Sequence, residues 1–315
     1  MDKVYTYEQL LDEVGNVSKT DRLAYIDFLL MFKGSLTRQD LTDFFGIKVA
    51  SASAAISDYR EYRQDNVEYV HKEAKNVIKF SSFNPLLNYD AENALGMLAN
   101  GFNKGKFNVT PTLPYERVGF MPKKLDVNLV AKVTRAISNK SAIVCKYLSH
   151  SSKVHDDRTL YPTAIFYDGI SWMFRAFSIS DSTPDGDFRS FNFSRVSSVT
   201  EAPQSFAKRH QTIQSDADWQ TIIPVILEIH PSIHNDFKKK SVLIHEYGVD
   251  SSTNQLSVSV RAVLFYYLKE QWSIDVRSEE EIKADKRGSR YNFILKNSSM
   301  FRHLKCMEHV FKPYS

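Results

Sequence analysis

At 315 residues, 43% hydrophobic and 25% charged, the chain exceeds one ordinary core and is too apolar for disorder, so two or three globular domains are expected. Two cysteines, Cys145 and Cys306, cannot build a disulfide framework or, alone, a four-ligand zinc site, which points to a reducing compartment. A net charge of +4 is a weak hint of a polyanionic partner, and with no signal-peptide h-region and no apolar run near the ~20 residues of a membrane helix, a cytoplasmic protein without membrane contact is expected.

Residues 21–32, DRLAYIDFLLMF, align Leu23, Ile26, Leu29 and Leu30 at helical period, and Gly34 ends the helix. Thr37-Arg38-Gln39-Asp40 has the form of a capping box and opens a short helix expected to bury Leu41, Phe44 and Phe45. Gly46 then supplies a left-handed turn. A third helix is predicted from about Val49 to Arg63, with Ala52, Ile56 and Tyr59 inward and Ser51, Ala54, Ser57, Asp58 and Glu61 outward. Helix, tight glycine turn, helix is the helix-turn-helix layout. The segment VEYVHKEAKNVIKF alternates about a turn near Glu73–Lys75 and reads as a β-hairpin wing, with Lys72, Lys75 and Lys79 on or near it.

Charge does not announce DNA binding here. Residues 1–85 hold 11 Lys/Arg against 13 Asp/Glu, so the basic groups must share one face if this end meets DNA. The small residues Ser51, Ser53, Ala54 and Ser57 allow the third helix a close approach to a groove wall, or else they pack against a neighbouring helix. On the DNA-binding reading, Ser51, Ser53 and Ser57 meet the groove, while Arg38, Arg60, Lys72 and Lys75 meet phosphates.

Residues 83–125 form a transition, with a helix over Asp90–Phe102 and then a linker carrying three prolines. A helix follows over 126–138, aligning Val127, Val130, Val133 and Ile137. Strand-like runs come in quick succession at 142–149, 158–167, 170–178 and 188–199, with Asp168-Gly169 as a hairpin signal. Short strands so closely spaced suit a small β-barrel or a strongly bent sheet.

Tyr147-Leu148-Ser149-His150-Ser151-Ser152, then Arg158 and Pro162, then Asp168-Gly169 with Trp172 and Arg175-Ala176-Phe177, then Phe188-Arg189 with Phe191 and Arg195-Val196, resemble a WYL domain. Within that family the chain is most similar to bacterial transcription regulators encoded beside phage-defence systems, of the BREX-regulator and CapW kind. The resemblance spans roughly residues 20–270. It implies an α+β multidomain protein: an N-terminal winged helix-turn-helix, a central small β-barrel of Sm or SH3-like form, and a C-terminal α+β dimerisation domain. It also implies a homodimer on double-stranded operator DNA. Two departures stand out: the namesake triplet is Trp172-Met173-Phe174, and Pro162 is followed by Thr163 where the family commonly has histidine. With the resemblance, Arg158, Arg175 and Arg195, expected on three different strands, are assigned with Tyr147, Ser149 and Ser151 to one pocket for a nucleotide or single-stranded nucleic acid. On the residues alone, each arginine also reads as a solvated strand residue or a partner of Asp156, Asp157 or Asp187. Trp172 reads as core.

In the last third, WQTIIPVILEIHP reads as a strand entering a turn, SIHNDFKKKSVLIHEYG as a helix and a short strand, and LSVSVRAVLFYYLKEQWSID as a strand passing into a helix that holds Val263, Leu264, Tyr266 and Tyr267. The resemblance makes this the dimerising part. Boundaries are expected at 1–85, 86–125, 126–203 and 204–315, the last ending in a charged tail. No nucleophile elbow, P-loop, zinc-protease or dinucleotide motif occurs, so neither catalysis nor a cofactor is expected. His230 and His234 have metal-like spacing, but Pro231 lies between them and no metal is assigned. Ser149, His150 and Asp156 are neighbours in sequence, which does not make a triad. Two functional classes remain: a ligand-responsive repressor, and an accessory nucleic-acid-binding or interaction subunit.

Overall fold

The computed structural model describes residues 3–107, 113–116, 124–149, 157–180, 183–284 and 290–311. The chain forms two compact units, Met1–Thr212 and Ile213–Ser315, each with its own apolar core.

The first unit opens with α1 (Tyr7–Val14) and α2 (Val17–Lys33), followed by β1 (Ser35–Leu36), α3 (Arg38–Phe45), α4 (Val49–Tyr62), β2 (Val67–Val70) and β3 (Lys75–Ile78). Helix α1 was not among the expected elements, although Thr6 and Gln9 form a reciprocal capping box and Gly15 closes it in the left-handed region. Helix α2 starts earlier than expected because the Asn16 side chain accepts from Lys19 N. The Thr37–Asp40 capping box forms, with Thr37 N donating to Asp40 Oδ2 at 2.7 Å and Asp40 N donating to Thr37 Oγ1 at 3.2 Å. Of the three residues expected to be buried on α3, Leu41 is, Phe45 is half-buried, and Phe44 is 44% exposed. Positions 41, 44 and 45 share one side of α3, as i, i+3 and i+4 do, and Phe44, still partly open to solvent, stacks on Tyr25 with ring centres 4.3 Å apart. Strands β1, β3 and β2 form an antiparallel sheet in that order. The wing turn is a 3₁₀ turn, His71–Glu73, closed by Ala74 at φ 51°.

Next come α5 (Ala91–Asn100) and α6 (Val127–Asn139), each started by an aspartate that caps its first turn. Strands β4 (Ser141–Tyr147), β5 (Asp157–Tyr167), β6 (Trp172–Ser180), β7 (Thr183–Asn192) and β8 (Val196–Phe206) form an antiparallel sheet, order β7-β6-β5-β4-β8. The run expected at 188–199 is two strands. The Asn192 side chain accepts from Ser194 N at 2.8 Å and turns the chain through a 3₁₀ segment, Phe193–Arg195. Tyr147 Oη accepts from Asn192 N at 3.1 Å, which joins β4 to the far edge strand β7 and bends the sheet as a small barrel requires. Ile143, Cys145, Leu160, Phe174, Ala176 and Phe191 continue the core that α2 and α6 share. Trp172 is half-buried at its margin.

The second unit holds α7 (Ala217–Gln220), β9 (Ile222–Ile229), α8 (Phe237–Tyr247), β10 (Gln255–Arg261), α9 (Phe265–Trp272), β11 (Ile274–Asp275), α10 (Glu279–Ala284), β12 (Phe293–Leu295) and α11 (Glu308–Phe311). Its sheet has the order β10-β9-β12-β11, with β11 and β12 parallel. The short strand expected after α8 does not form, since the helix runs to Tyr247 and Gly248 ends it at φ 68°. In the next helix Phe265 and Lys269 are the buried positions, while Val263 and Leu264 belong to a preceding 3₁₀ turn and Tyr266 is 43% exposed.

Candidate nucleic-acid interface

Helix α4 sorts its residues by face as its period dictates. Ala52, Ala55, Ile56 and Tyr59 are buried; Val49, Ala50, Ser53, Ala54 and Ser57 are exposed, and Ser51 is half-buried. A residue that the sequence reading passed over holds the helix in place. Asp27 on α2 is fully buried, and its carboxylate accepts from Tyr59 Oη at 2.6 Å, Leu86 N at 3.0 Å, Leu87 N at 3.1 Å and Tyr89 Oη at 3.0 Å. Burial pushes its pKa above the usual carboxylate value, against these donors. The signal was an aspartate inside an otherwise apolar helical stripe.

The basic residues assigned to phosphate do not stand alike. Arg38 and Lys72 are exposed. Lys75 is half-buried, its Nζ 2.5 Å from Glu73 Oε2. Arg60 donates from Nη2 to Asn76 Oδ1 at 3.0 Å, which ties α4 to the wing strand β3. Arg63, just past α4, is buried and donates to the carbonyls of Tyr62, Asn84, Pro85 and Lys3. It therefore fixes the segment after the wing.

In the sheet of β4–β8, Tyr147 is buried edge-on to Phe191, and the Arg158 guanidinium lies 5.9 Å from the Tyr147 ring centre. Arg158 Nε is buried without a hydrogen-bond partner among the described residues. Leu148 N donates to the Arg195 carbonyl at 2.9 Å, so Tyr147, Ser149, Arg158 and Arg195 gather by backbone position at one end of β4. Arg195 sits in the 3₁₀ turn between β7 and β8, not on a strand as expected.

Arg175 is not brought to that end. The pairs Leu160↔Ser178 and Tyr161↔Phe177 put Arg158, Leu160 and Ser178 on one face of the β5–β6 ladder and Phe177 and Arg175 on the other. On that face Arg175 is buried, with Nη1 3.4 Å from Ser190 Oγ and the guanidinium 6.0 Å from the Phe188 ring centre. Ser151 lies outside the described residues, as do His150 and Asp156. Burial pushes the Cys145 thiol up to about 12, which leaves it protonated and a poor nucleophile.

In the second unit His230 and His234 take different partners. His230 Nδ1 accepts from Ser232 N at 3.2 Å, and His234 Nε2 lies 3.0 Å from the Ile229 carbonyl. Among the described residues no helix is long and apolar enough to cross a membrane.

Three family matches cover the chain in the order of these elements. Residues 18–100 match the BrxR transcriptional regulator winged helix-turn-helix domain, residues 128–201 the WYL domain, and residues 222–300 the BrxR transcriptional regulator C-terminal dimerization domain. The chain belongs to the WYL-domain transcriptional regulators of the BrxR type. Relatives of this BrxR-type regulator agree. The DNA-binding transcriptional repressor CapW of Escherichia coli (strain KTE188) is 29% identical over 78% of this chain and 80% of its own. CapW of Pseudomonas aeruginosa is 27% identical over 90% of each chain. CapW of Stenotrophomonas maltophilia is 26% identical over 79% of this chain and 81% of its own. A solved structure of proteasome accessory factor B/C (PafBC) of Arthrobacter aurescens shares 14% identity at a TM-score of 0.23, covering 78% of this chain and 44% of that one. This chain thus spans under half of that one, and the likeness is too low to bear on function.

Proposed function

We propose that this protein is a DNA-binding transcriptional repressor. Two copies of α4 enter successive major grooves of an inverted repeat, with the wings on the flanking backbone. The observation that carries this reading is the winged helix-turn-helix, WYL and dimerization domains in one chain, with the outward stripe of α4 uncovered. A homodimer follows from the dimerization domain, and the half-sites then lie about 10 bp apart or a multiple of that. On the resemblance to regulators encoded beside phage-defence systems, the controlled genes are those of such a system. The protein acts by binding and not by catalysis.

The WYL domain is proposed to sense a nucleotide or a short single-stranded nucleic acid. Support comes from Arg158, a guanidinium against an aromatic ring with a buried donor that a phosphate oxygen satisfies. Tyr147, Ser149 and Arg195 lie near it; Arg175, on the opposite face, is left out of this revised pocket. A ligand changes DNA affinity only by binding the operator-competent and incompetent dimers unequally. In this reading it favours the incompetent form.

The test is a mobility-shift titration of the full chain on the DNA upstream of its own coding sequence, with light scattering for mass. A dimer, a footprint with two-fold symmetry and a steep salt dependence are expected, and Lys72→Ala should reduce the salt slope by about one unit. A monomer, or equal affinity for unrelated DNA, overturns the repressor reading in favour of an accessory subunit. Nucleotides and short oligonucleotides are then added to the complex. Release from the wild type but not from Arg158→Ala is expected, and no effect of any of them overturns the sensing reading alone.

A further inference from the structure

The repressor reading leaves open how α4 tells one base pair from another. Guanine is distinguished in the major groove by a guanidinium or ammonium that bonds O6 and N7, and adenine by a side-chain amide. Helix α4 contains no lysine, asparagine or glutamine. Its single arginine, Arg60, is near the C-terminal end and is engaged by Asn76 on the wing. Ser53 and Ser57 offer hydroxyls, which donate and accept alike and so discriminate weakly. Of its two carboxylates, Asp58 is paired with Lys19 at 3.1 Å and exposed Glu61 lies in the last turn, so what the N-terminal part of the helix exposes besides serine is aliphatic: Val49, with 55% of its surface uncovered, Ala50 and Ala54.

Val49, in the first turn of this helix, is exposed and joins neither apolar core among the described residues. Alanines and serines beside it keep the helix slim enough for the backbone to approach the groove floor. The feature of a base pair that answers an aliphatic side chain in the major groove is the thymine C5-methyl group.

We propose that α4 reads its half-site through thymine methyl groups packed against Val49, Ala50 and Ala54. Thymine is then preferred over cytosine at those positions by apolar contact and not by hydrogen bonding. Guanine is disfavoured because its O6 and N7 find no free guanidinium or ammonium on α4 and the methyl contact is lost. The proposal rests on the DNA-binding reading above and adds to it the chemistry of base choice. Residues outside α4, such as exposed Lys48 at its N-cap and Arg38, then serve the phosphates.

The test starts from random duplexes, selected with the full chain to find its preferred half-site. Thymines in that half-site are replaced one at a time by deoxyuridine, which removes the 5-methyl group and nothing else. About a fourfold loss in affinity is expected for each contacted methyl, the worth of one buried methylene-sized group. In Val49→Ala the penalty at the thymine beneath residue 49 should shrink to under about twofold; Ala54→Ser should do the same at its own thymine. Where a contacted T·A pair is replaced by C·G, 5-methylcytosine should recover about the same fourfold. Both substitutions are at exposed positions, so the fold is kept, and an unchanged melting temperature checks this. Deoxyuridine duplexes that bind as well as thymine duplexes overturn the inference while the repressor reading stands. So do penalties that the two variants leave unchanged. A selection that enriches no sequence overturns the repressor reading and this inference with it.

Discussion

Asp27 shows how one buried carboxylate can set the position of a DNA-reading helix. Its oxygens take hydroxyl donors from Tyr59 on α4 and from Tyr89, and backbone N–H groups from Leu86 and Leu87. The two N–H donors cannot reverse their polarity. Asp27→Asn therefore turns an amide N–H₂ toward groups that already donate, or leaves one of them without an acceptor. A loss of about 2–4 kcal/mol is expected, read as a fall in the urea midpoint at unchanged slope. Tyr59→Phe leaves the two backbone N–H donors satisfied but removes a hydroxyl that donates to Asp27 and accepts from Asn66 Nδ2 at 2.9 Å, so about 1–2 kcal/mol is expected. Equal effects from the two would mean that the hydrogen bonds of the Tyr59 hydroxyl, and not acceptor loss for the backbone donors, set the stability. From sequence, Asp27 looked like an interruption of an apolar stripe. Its partners lie about sixty residues away, at Leu86 and Tyr89, and no local pattern reports them.

At the scale of elements, what could be read was what the chain decides locally. Thr37 with Asp40, Gly34 and Gly46 marked helix ends through their own backbone geometry, and α2 ends, and α3 begins and ends, where those marks put them. The faces of the barrel strands were not readable in that way. Whether Arg158 and Arg175 share a face depends on the β5–β6 register, which has a bulge between Pro162 and Ala164, and register is a property of two strands. The division between β7 and β8 was hidden because strand-forming residues continue on both sides of Asn192. The junction between α2 and α6 was equally silent. Arg135 on α6 donates from Nε and Nη2 to the two oxygens of Glu201 on β8, at 2.9 and 2.6 Å, and from Nη1 to the Met31 carbonyl on α2 at 2.7 Å. Gly34 permits this approach: a Cβ there would lie 3.1 Å from Asn139 Nδ2 and 3.3 Å from Arg135 Cδ. The guanidinium thus joins the winged helix to the barrel. Arg135→Met strands a mostly buried carboxylate and should cost about 3 kcal/mol, while Arg135→Met with Glu201→Leu should recover most of that loss. If the double variant is no more stable than Arg135→Met alone, the bridge to Met31 matters more than the ion pair.

For the whole molecule, the division into two units with separate cores allows acid sensitivity to be local. In the second unit His230 is 3% exposed, and burial holds its pKa below the ordinary 6.5. Asp275, whose Oδ2 is 3.5 Å from His230 Nε2, favours the charged imidazole. Arg277 binds the same carboxylate at 2.7 Å and, with His234, opposes that charge. Tyr291 completes the surroundings, its ring centre 6.1 Å from the imidazole. Because Nδ1 accepts from Ser232 N, the proton of the neutral ring is on Nε2. As pH falls through 6.5 the unfolded chain takes up a proton on this residue before the folded one does. The stability that the neutral ring contributes is therefore present above that pH and lost below it, until the folded pKa is passed. One proton gives a slope of up to about 1.4 kcal/mol per pH unit in that window. Hydrogen exchange in β9 and β12 should quicken from about pH 7.5 to about pH 5.5, after correction for the intrinsic rate, while exchange in α2 and β6 keeps its protection. His230→Asn retains an acceptor for Ser232 N but cannot titrate, so its β9 and β12 amides should lose most of this pH response. A variant that responds to acid as the wild type does would place the sensitivity on another group. Loss of protection in α2 and β6 at the same pH would show that acid acts on the whole chain and not on the second unit.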